Sequence, residues 1–155
     1  MGLACTHPVP GARISQHFYQ NPQEYARWGL PGHNGVDLAA PAGTPIQAIA
    51  AGIVSWIGYD DNYGNYIRVW HEHLSIYSFY AHLANIDLPE AQRVGTLVTV
   101  GQMIGYVGST GNATGAHLHL EIRLAGADGE YNECTPMPRG RVDPETWSAI
   151  HGLKL

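Results

Sequence analysis

From Val36 onward the chain is a succession of brief β-prone segments divided by turn residues, and this rhythm limits its fold more than any other feature. VDLAA, PIQAIA, GIVSWIG, NYIRVWH, SIYSFYAHL, LVTV, MIGYVG and HLHLEIRL follow one another with Gly, Pro, Asn or Asp between them. Short strands at that spacing build antiparallel sheets or sandwiches rather than βαβ units. The expected fold class is therefore mainly β, an antiparallel sheet or sandwich. DDNYGN at 60–65 supplies turn chemistry between two of the strands. The one clear helix signal is terminal: Asp143 as N-cap, Pro144 at the first helical position, then ETWSAIH with Gly152 past its end. Residues 125–142 read as a loop leading into that helix. Residues 1 to about 32 read as an irregular arm, with RISQHF at 13–18 as its one candidate strand. At 155 residues the chain is expected to be a single domain, 1–155, long enough to bury a core.

Two motifs far apart in the sequence carry chemistry. HNGVD at 33–37 can turn an imidazole and a carboxylate toward one point, and Gly35 removes the side chain that would crowd it. In HLHLEIRL, period-two alternation puts His117, His119 and Glu121 on one face and Leu118, Leu120 and Ile122 on the other. Together the motifs offer His33, Asp37 and His119 as a metal triad whose fourth position is left to water, the ligand set of a catalytic zinc site. His117 is offset by about 7 Å along its strand from His119, which suits a group beside a metal better than one on it. Simple alternation in SIYSFYAHL would place Tyr80 and His82 on one face. Glu121 reads as a carboxylate supporting a ligand; the HExxH arrangement would need a helix and histidines four apart. WHEHLS contains a second His-x-His, His71 and His73, which reads more simply as a strand end and a turn.

HxxxD, YAHL at 80–83 and TGxxTGxHLHxE at 110–121 resemble the lysostaphin-type (LytM-like) zinc endopeptidases that cut peptidoglycan. The similarity runs without a break over roughly residues 32–123, leaving an N-terminal arm, 1–31, and a C-terminal loop and helix, 124–155. Thr114, Ala116 and Leu120 stand where that family often has Ser, Pro and Phe. The resemblance implies one zinc ion held by His33, Asp37 and His119, with His82 and His117 acting on the attacking water and the scissile carbonyl. It implies as partner a peptide of bacterial peptidoglycan, and as site of action the cell wall. Which of Tyr25, Arg27 or Trp28 borders the cleft is open at this point. A non-catalytic LytM-like module that binds wall or activates an amidase is the alternative, although such relatives typically lose ligands and all five residues stand here.

Composition narrows the partners. A formal net charge of −5 and the lack of any Lys/Arg cluster argue against nucleic acid. No apolar run approaches the ~20 residues of a membrane span. The expected state is a monomer. The start, MGLACTHPVPG, has neither a basic n-region nor an apolar h-region, which suggests a phage-type lysin, an antimicrobial endolysin, made in the cytoplasm, or a module of something larger. A lipoyl-type carrier would need a lysine at a hairpin tip, and the one lysine is Lys154. Cys5 and Cys134 flank the family-like core; they are either a disulfide tying down the arm or two unrelated thiols. The aromatics that alternate with Ile and Val in the central strands read as core, and Tyr63 and the segment 19–32 as groove walls.

Overall fold

The computed structural model describes residues 4–84, 93–125 and 140–155. Ten strands and two short helices follow the expected rhythm: β1 (Arg13–Gln16), α1 (Pro22–Tyr25), β2 (Val36–Ala39), β3 (Pro45–Gln47), β4 (Gly52–Asp60), β5 (Gly64–His71), β6 (Ile76–Leu83), β7 (Leu97–Val98), β8 (Met103–Tyr106), β9 (His117–Leu124), β10 (Arg141–Val142) and α2 (Pro144–Ile150). Every strand pairing among the described residues is antiparallel. The main sheet runs β1-β2-β9-β6-β5-β4-β7, while β3 and β8 form a separate two-stranded ribbon. β2 covers the first half of one edge of β9, and β10 continues along that edge beside Ile122 and Arg123. The mainly β, antiparallel class with a short C-terminal helix is the observed one.

Directly paired residues project to the same side of a sheet, and the register sorts this one into two faces. Val36 and Leu38, Leu118, Leu120 and Ile122, Tyr80, Ile67 and Val69 share the buried face. Ile46 and Ile104 from the ribbon, Val9 from the arm and Trp147 from α2 complete the core. Asp37, His119, Glu121, Phe79 and Arg68 fall on the opposite face. The central aromatics do not join the core as expected. Trp56 and Tyr59 are 49% and 60% exposed, and Tyr66 and Trp70 alternate with the buried Ile67 and Val69 on the opposite face. Alternation separates the aliphatic from the aromatic residues, and the fold covers the aliphatic face.

The local signals act as expected at two places. Asp60 Oδ1 accepts hydrogen bonds from the backbone N–H of Asn62 (2.8 Å) and Tyr63 (2.6 Å), closing the β4–β5 turn. Asp143 caps α2 by accepting from Glu145 N at 3.1 Å, and Gly152 takes a left-handed φ of 74° beyond the helix end. The arm holds more structure than expected, with α1 and a 3₁₀ turn at Ala26–Trp28. Arg141 and Val142, expected in a loop, form β10. Cys134 lies outside the described residues, so its relation to the half-buried Cys5 does too. No described helix is long and apolar enough to cross a membrane.

Candidate metal centre

Asp37 on β2 stands directly opposite His119 on β9, and the register thus joins the two distant motifs. His33 lies in the turn just ahead of β2 and folds back over Asp37. Gly35 permits that turn: a Cβ there would sit 2.4 Å from the carbonyl oxygen of Leu120 and 2.9 Å from His119 Cε1. Three donor atoms converge as a result. His33 Nε2 is 3.0 Å from His119 Nδ1 and 3.1 Å from Asp37 Oδ1, and His119 Nδ1 is 2.9 Å from the same oxygen. All three residues are buried, and they are the set among the described residues whose atoms lie close enough to share a metal ion.

The outer nitrogens decide what the inner ones can do. His33 Nδ1 donates to the backbone carbonyl of His17 at 3.1 Å, which leaves Nε2 with its lone pair inward. His119 Nε2 donates to Glu121 Oε1 at 2.9 Å, which leaves Nδ1 with its lone pair inward. Asp37 contributes an ionised oxygen. Burial would raise its pKa, but the imidazoles of His119 and His33 against it hold it well below the usual carboxylate range. Three lone pairs facing one point repel unless a cation stands between them. Burial would likewise lower the pKa of His119, yet Asp37 and then Glu121 raise it to about 9, so without a metal a proton fills that role. Ligand atoms around a tetrahedral zinc are about 3.3 Å apart for bonds of ~2.0–2.1 Å. The observed triangle would open by only a few tenths of an ångström to take one. The donor set fits the group.

Glu121 is wholly buried, and each of its oxygens has two donors. Oε1 accepts from His119 Nε2 and from Tyr63 Oη at 2.8 Å, while Oε2 accepts from Arg123 Nε and from Arg141 Nε at 2.8 Å. Burial alone would raise its pKa; the guanidinium groups of Arg123 and Arg141 hold it well below the ordinary value. Asn34 in turn donates to Tyr63 Oη at 2.7 Å. A carboxylate behind a ligating histidine fixes its tautomer and raises its basicity.

His82 and His117 stand beside the cluster, outside the three-donor set. Their rings are 4.8 Å apart, and His82 lies 5.9 Å from the ring of His119. Alternation placed His82 on the face of Tyr80; the structure corrects this. Tyr80 pairs with Leu120 and Leu83 with Asn65, so β6 holds two residues, Ala81 and His82, against the single Tyr66 of β5. His82 takes φ of 60° in this bulge and turns its side chain to the cluster side. Its Nδ1 donates to the carbonyl of Thr110 at 2.8 Å, and Thr110 is itself clamped by Asn65 N and the Leu83 carbonyl. Burial, assisted by His119, pushes the His82 pKa down to about 4. His117 Nδ1 donates to the carbonyl of Gly115 at 2.8 Å, and its Nε2 is 3.6 Å from Asp37 Oδ2. Both imidazoles therefore carry their proton on Nδ1 and keep Nε2 for other work.

Of the arm residues, Tyr25 packs its ring 5.5 Å from that of His33, while Arg27 lies over the exposed Trp28. His71 and His73 are not a second metal pair. His71 is buried on the core side and hydrogen-bonded at both nitrogens, and His73 sits in a 3₁₀ turn. The sequence reading missed Arg123, Arg141, Asn34 and the His17 carbonyl. Arg123 was findable, two residues from Glu121 on the same strand face, and Asn34 stands beside His33 within HNGVD; Arg141 and the His17 carbonyl had no signal, because their proximity comes from the fold alone.

Residues 31–131 match the model of a family described as Peptidase family M23. The chain is 39% identical over 120 residues to a DD-carboxypeptidase/endopeptidase, Mpg, of Neisseria meningitidis serogroup B, an alignment covering 77% of this chain and 26% of that protein. The chain thus spans about a quarter of the length of the curated relatives it matches first. A zinc containing peptidase from Vibrio cholerae superposes with a TM-score of 0.64 at 32% identity, over 78% of this chain and 37% of that one. Lysostaphin from Staphylococcus simulans superposes with a TM-score of 0.75 at 24% identity, over 98% of this chain and 55% of that one, and shares its fold.

Proposed function

The chain belongs to peptidase family M23, and from that premise we propose that it is a zinc-dependent endopeptidase that hydrolyses amide bonds in the peptide stems or cross-bridges of bacterial peptidoglycan. The observation that carries the reading is the convergence of His33 Nε2, Asp37 Oδ1 and His119 Nδ1 within 3.1 Å of one another, with both outer nitrogens held by acceptors. Bound there, zinc would supply Lewis acidity to the scissile carbonyl and to the attacking water. His33, Asp37 and His119 would hold it, and Glu121 and the His17 carbonyl orient the two imidazoles.

His82 and His117 carry the proton traffic. Each is fixed as its Nδ1–H tautomer by a backbone carbonyl, so each turns a basic Nε2 away from that anchor. One accepts the proton released by the attacking water on Nε2 and delivers it to the leaving amine; the other, once protonated on Nε2, donates a hydrogen bond to the developing oxyanion. The low pKa of His82 keeps it neutral, and so a proton acceptor, at neutral pH. All five groups are present and assembled, which favours an enzyme over a wall-binding module that has lost its ligands. The curated relatives named as DD-endopeptidases support a bond involving a D-amino acid, and cell-wall action.

The test is digestion of purified peptidoglycan followed by mass spectrometry of the fragments, with and without chelator. Cleaved stems or bridges that disappear with chelation and return with zinc are expected. Intact peptidoglycan in the presence of a zinc-loaded, folded protein would overturn the reading.

A further inference from the structure

The outer partners of the two proposed histidine ligands lead, one step further out, to the same stretch of chain. Behind His119 stands Glu121, and behind Glu121 stands Arg141 of β10. Behind His33 stands the His17 carbonyl, and the His17 side chain pairs with Glu145 of α2 at 2.7 Å. Arg141 and Glu145 both lie in residues 140–155, beyond the end of the family match at residue 131. We propose that this C-terminal segment braces the metal centre, with Arg141 as the positioning residue that fixes Glu121 and through it His119. The proposal rests on the zinc reading above.

Geometry gives Arg141 a role that Arg123 cannot fill. Arg123 is two residues from Glu121 on the same strand, so it travels with Glu121 and cannot locate it against another element. Arg141 arrives on a different strand, paired with β9 at Arg123 and Ile122, the two residues that follow Glu121. Its Nε takes the second donor place on Oε2. With both places on Oε2 filled, the carboxylate cannot rotate, and Oε1 stays aimed at His119 Nε2. The brace is anchored: Val142 packs against the core, and Trp147 of α2 is part of it. The Glu145–His17 strut is the weaker of the two. Its side chains are 34% and 60% exposed, and exposed ion pairs contribute little. A carboxylate without access to water, by contrast, depends on each of its partners.

The experiment compares zinc affinity, by chelator competition, in wild type and in Arg141→Met, Arg141→Gln and Arg141→Lys. Val142→Ala serves as a control that weakens packing on the same strand while keeping the guanidinium. Loss of a group that orients a ligand typically costs 10- to 100-fold in metal affinity. Arg141→Met and Arg141→Gln should show that loss, and Arg141→Lys should regain most of it. The cobalt-substituted protein reports ligand geometry directly, so its visible absorption should change in Arg141→Gln and not in Val142→Ala. Val142→Ala should lower the melting temperature and leave zinc affinity as it was. Should Arg141→Met fail to fold, Arg141→Gln and Arg141→Lys carry the comparison. Folded Arg141 variants with wild-type zinc affinity and an unchanged cobalt spectrum would overturn the brace alone. So would a loss in Val142→Ala equal to theirs. A wild type that binds no zinc would overturn the functional reading and the brace with it.

Discussion

Acidification should unfold this protein by way of a histidine remote from the metal centre. His71 is fully buried on the core side of the sheet, with Nδ1 2.8 Å from the Ala51 carbonyl and Nε2 2.8 Å from Ser78 Oγ. Ser78 Oγ is in turn 2.9 Å from Tyr80 Oη, which accepts the Ile49 N–H at 3.0 Å. One set of protons satisfies the whole chain. Ile49 N–H donates to Tyr80, Tyr80 to Ser78 and Ser78 to His71 Nε2, while Nδ1–H donates to Ala51. Protonating the imidazole reverses the chain: Nε2–H must donate to Ser78, Ser78 to Tyr80, and the Tyr80 hydroxyl proton is left without an acceptor among the described residues. Burial, the largest cause, and the neighbouring His73 push the His71 pKa from an ordinary 6.5 down to about 4, against the pull of the Ala51 carbonyl.

The sign follows. Above pH 6.5 both folded and unfolded chains hold His71 neutral, and its contribution is fully present. Between 6.5 and about 4 the unfolded chain takes up a proton that the folded one refuses, so stability falls as pH falls. The loss is about 3 kcal/mol when complete, or roughly 6–12 °C of melting temperature for a chain of this size. The assay is denaturant unfolding from pH 7 to pH 4 in chelator, so that metal release does not contribute, for wild type and His71→Asn. The variant should be less stable at pH 7 by about 1–3 kcal/mol, the cost of unmade buried hydrogen bonds. It should lose about 3 kcal/mol less on acidification, so the two curves converge or cross near pH 4. Parallel curves would refute the reasoning.

The site itself yields three further expectations. Wild type should carry one zinc per chain, and His33→Ala should not retain it by elemental analysis; stoichiometric zinc in that variant would remove His33 from the ligand set. His82→Ala and His117→Ala should keep the metal but lose about 10²-fold or more in turnover on a peptidoglycan peptide; zinc loss equal to that of His119→Ala would make either one a ligand. In Gly35→Ala the new methyl would meet a backbone oxygen at 2.4 Å. That should cost about 1–3 kcal/mol on the scale of an overpacked core and weaken zinc by displacing His119; a variant with wild-type melting and zinc content would show that β2 and β9 can separate there freely.

What could be read in advance had a short range along the chain. Period-two alternation in HLHLEIRL separated His117, His119 and Glu121 from the three apolar residues that enter the core, because a strand repeats that pattern within a few residues. Asp143, Pro144 and Gly152 marked α2 for the same reason: capping is local chemistry. His82 shows where that reasoning stops. Alternation put it on the face of Tyr80, and an extra residue in β6, visible only once β5 lies beside it, turned it to the cluster side. The aromatics of β4 and β5 stop it differently, since nothing in a strand's own pattern says which face will be covered. Arg141 lies further out of reach, because the only thing joining it to Glu121 is the edge of β9 that β10 occupies.

These failures share a cause that bears on how the centre works. Residues that donate electron pairs or protons announce themselves, because their chemistry restricts their type and spacing. Residues that aim them do so through backbone carbonyls, a bulge and a strand edge, where many sequences would serve. The His17 carbonyl is the limiting case, since any residue at position 17 offers that oxygen to His33. Substitution of the His17 side chain should therefore leave the tautomer of His33 intact, whereas a change in the path of the arm between β1 and α1 should not. For this centre the position of the backbone is as much a determinant of the metal ligands as the identity of the side chains.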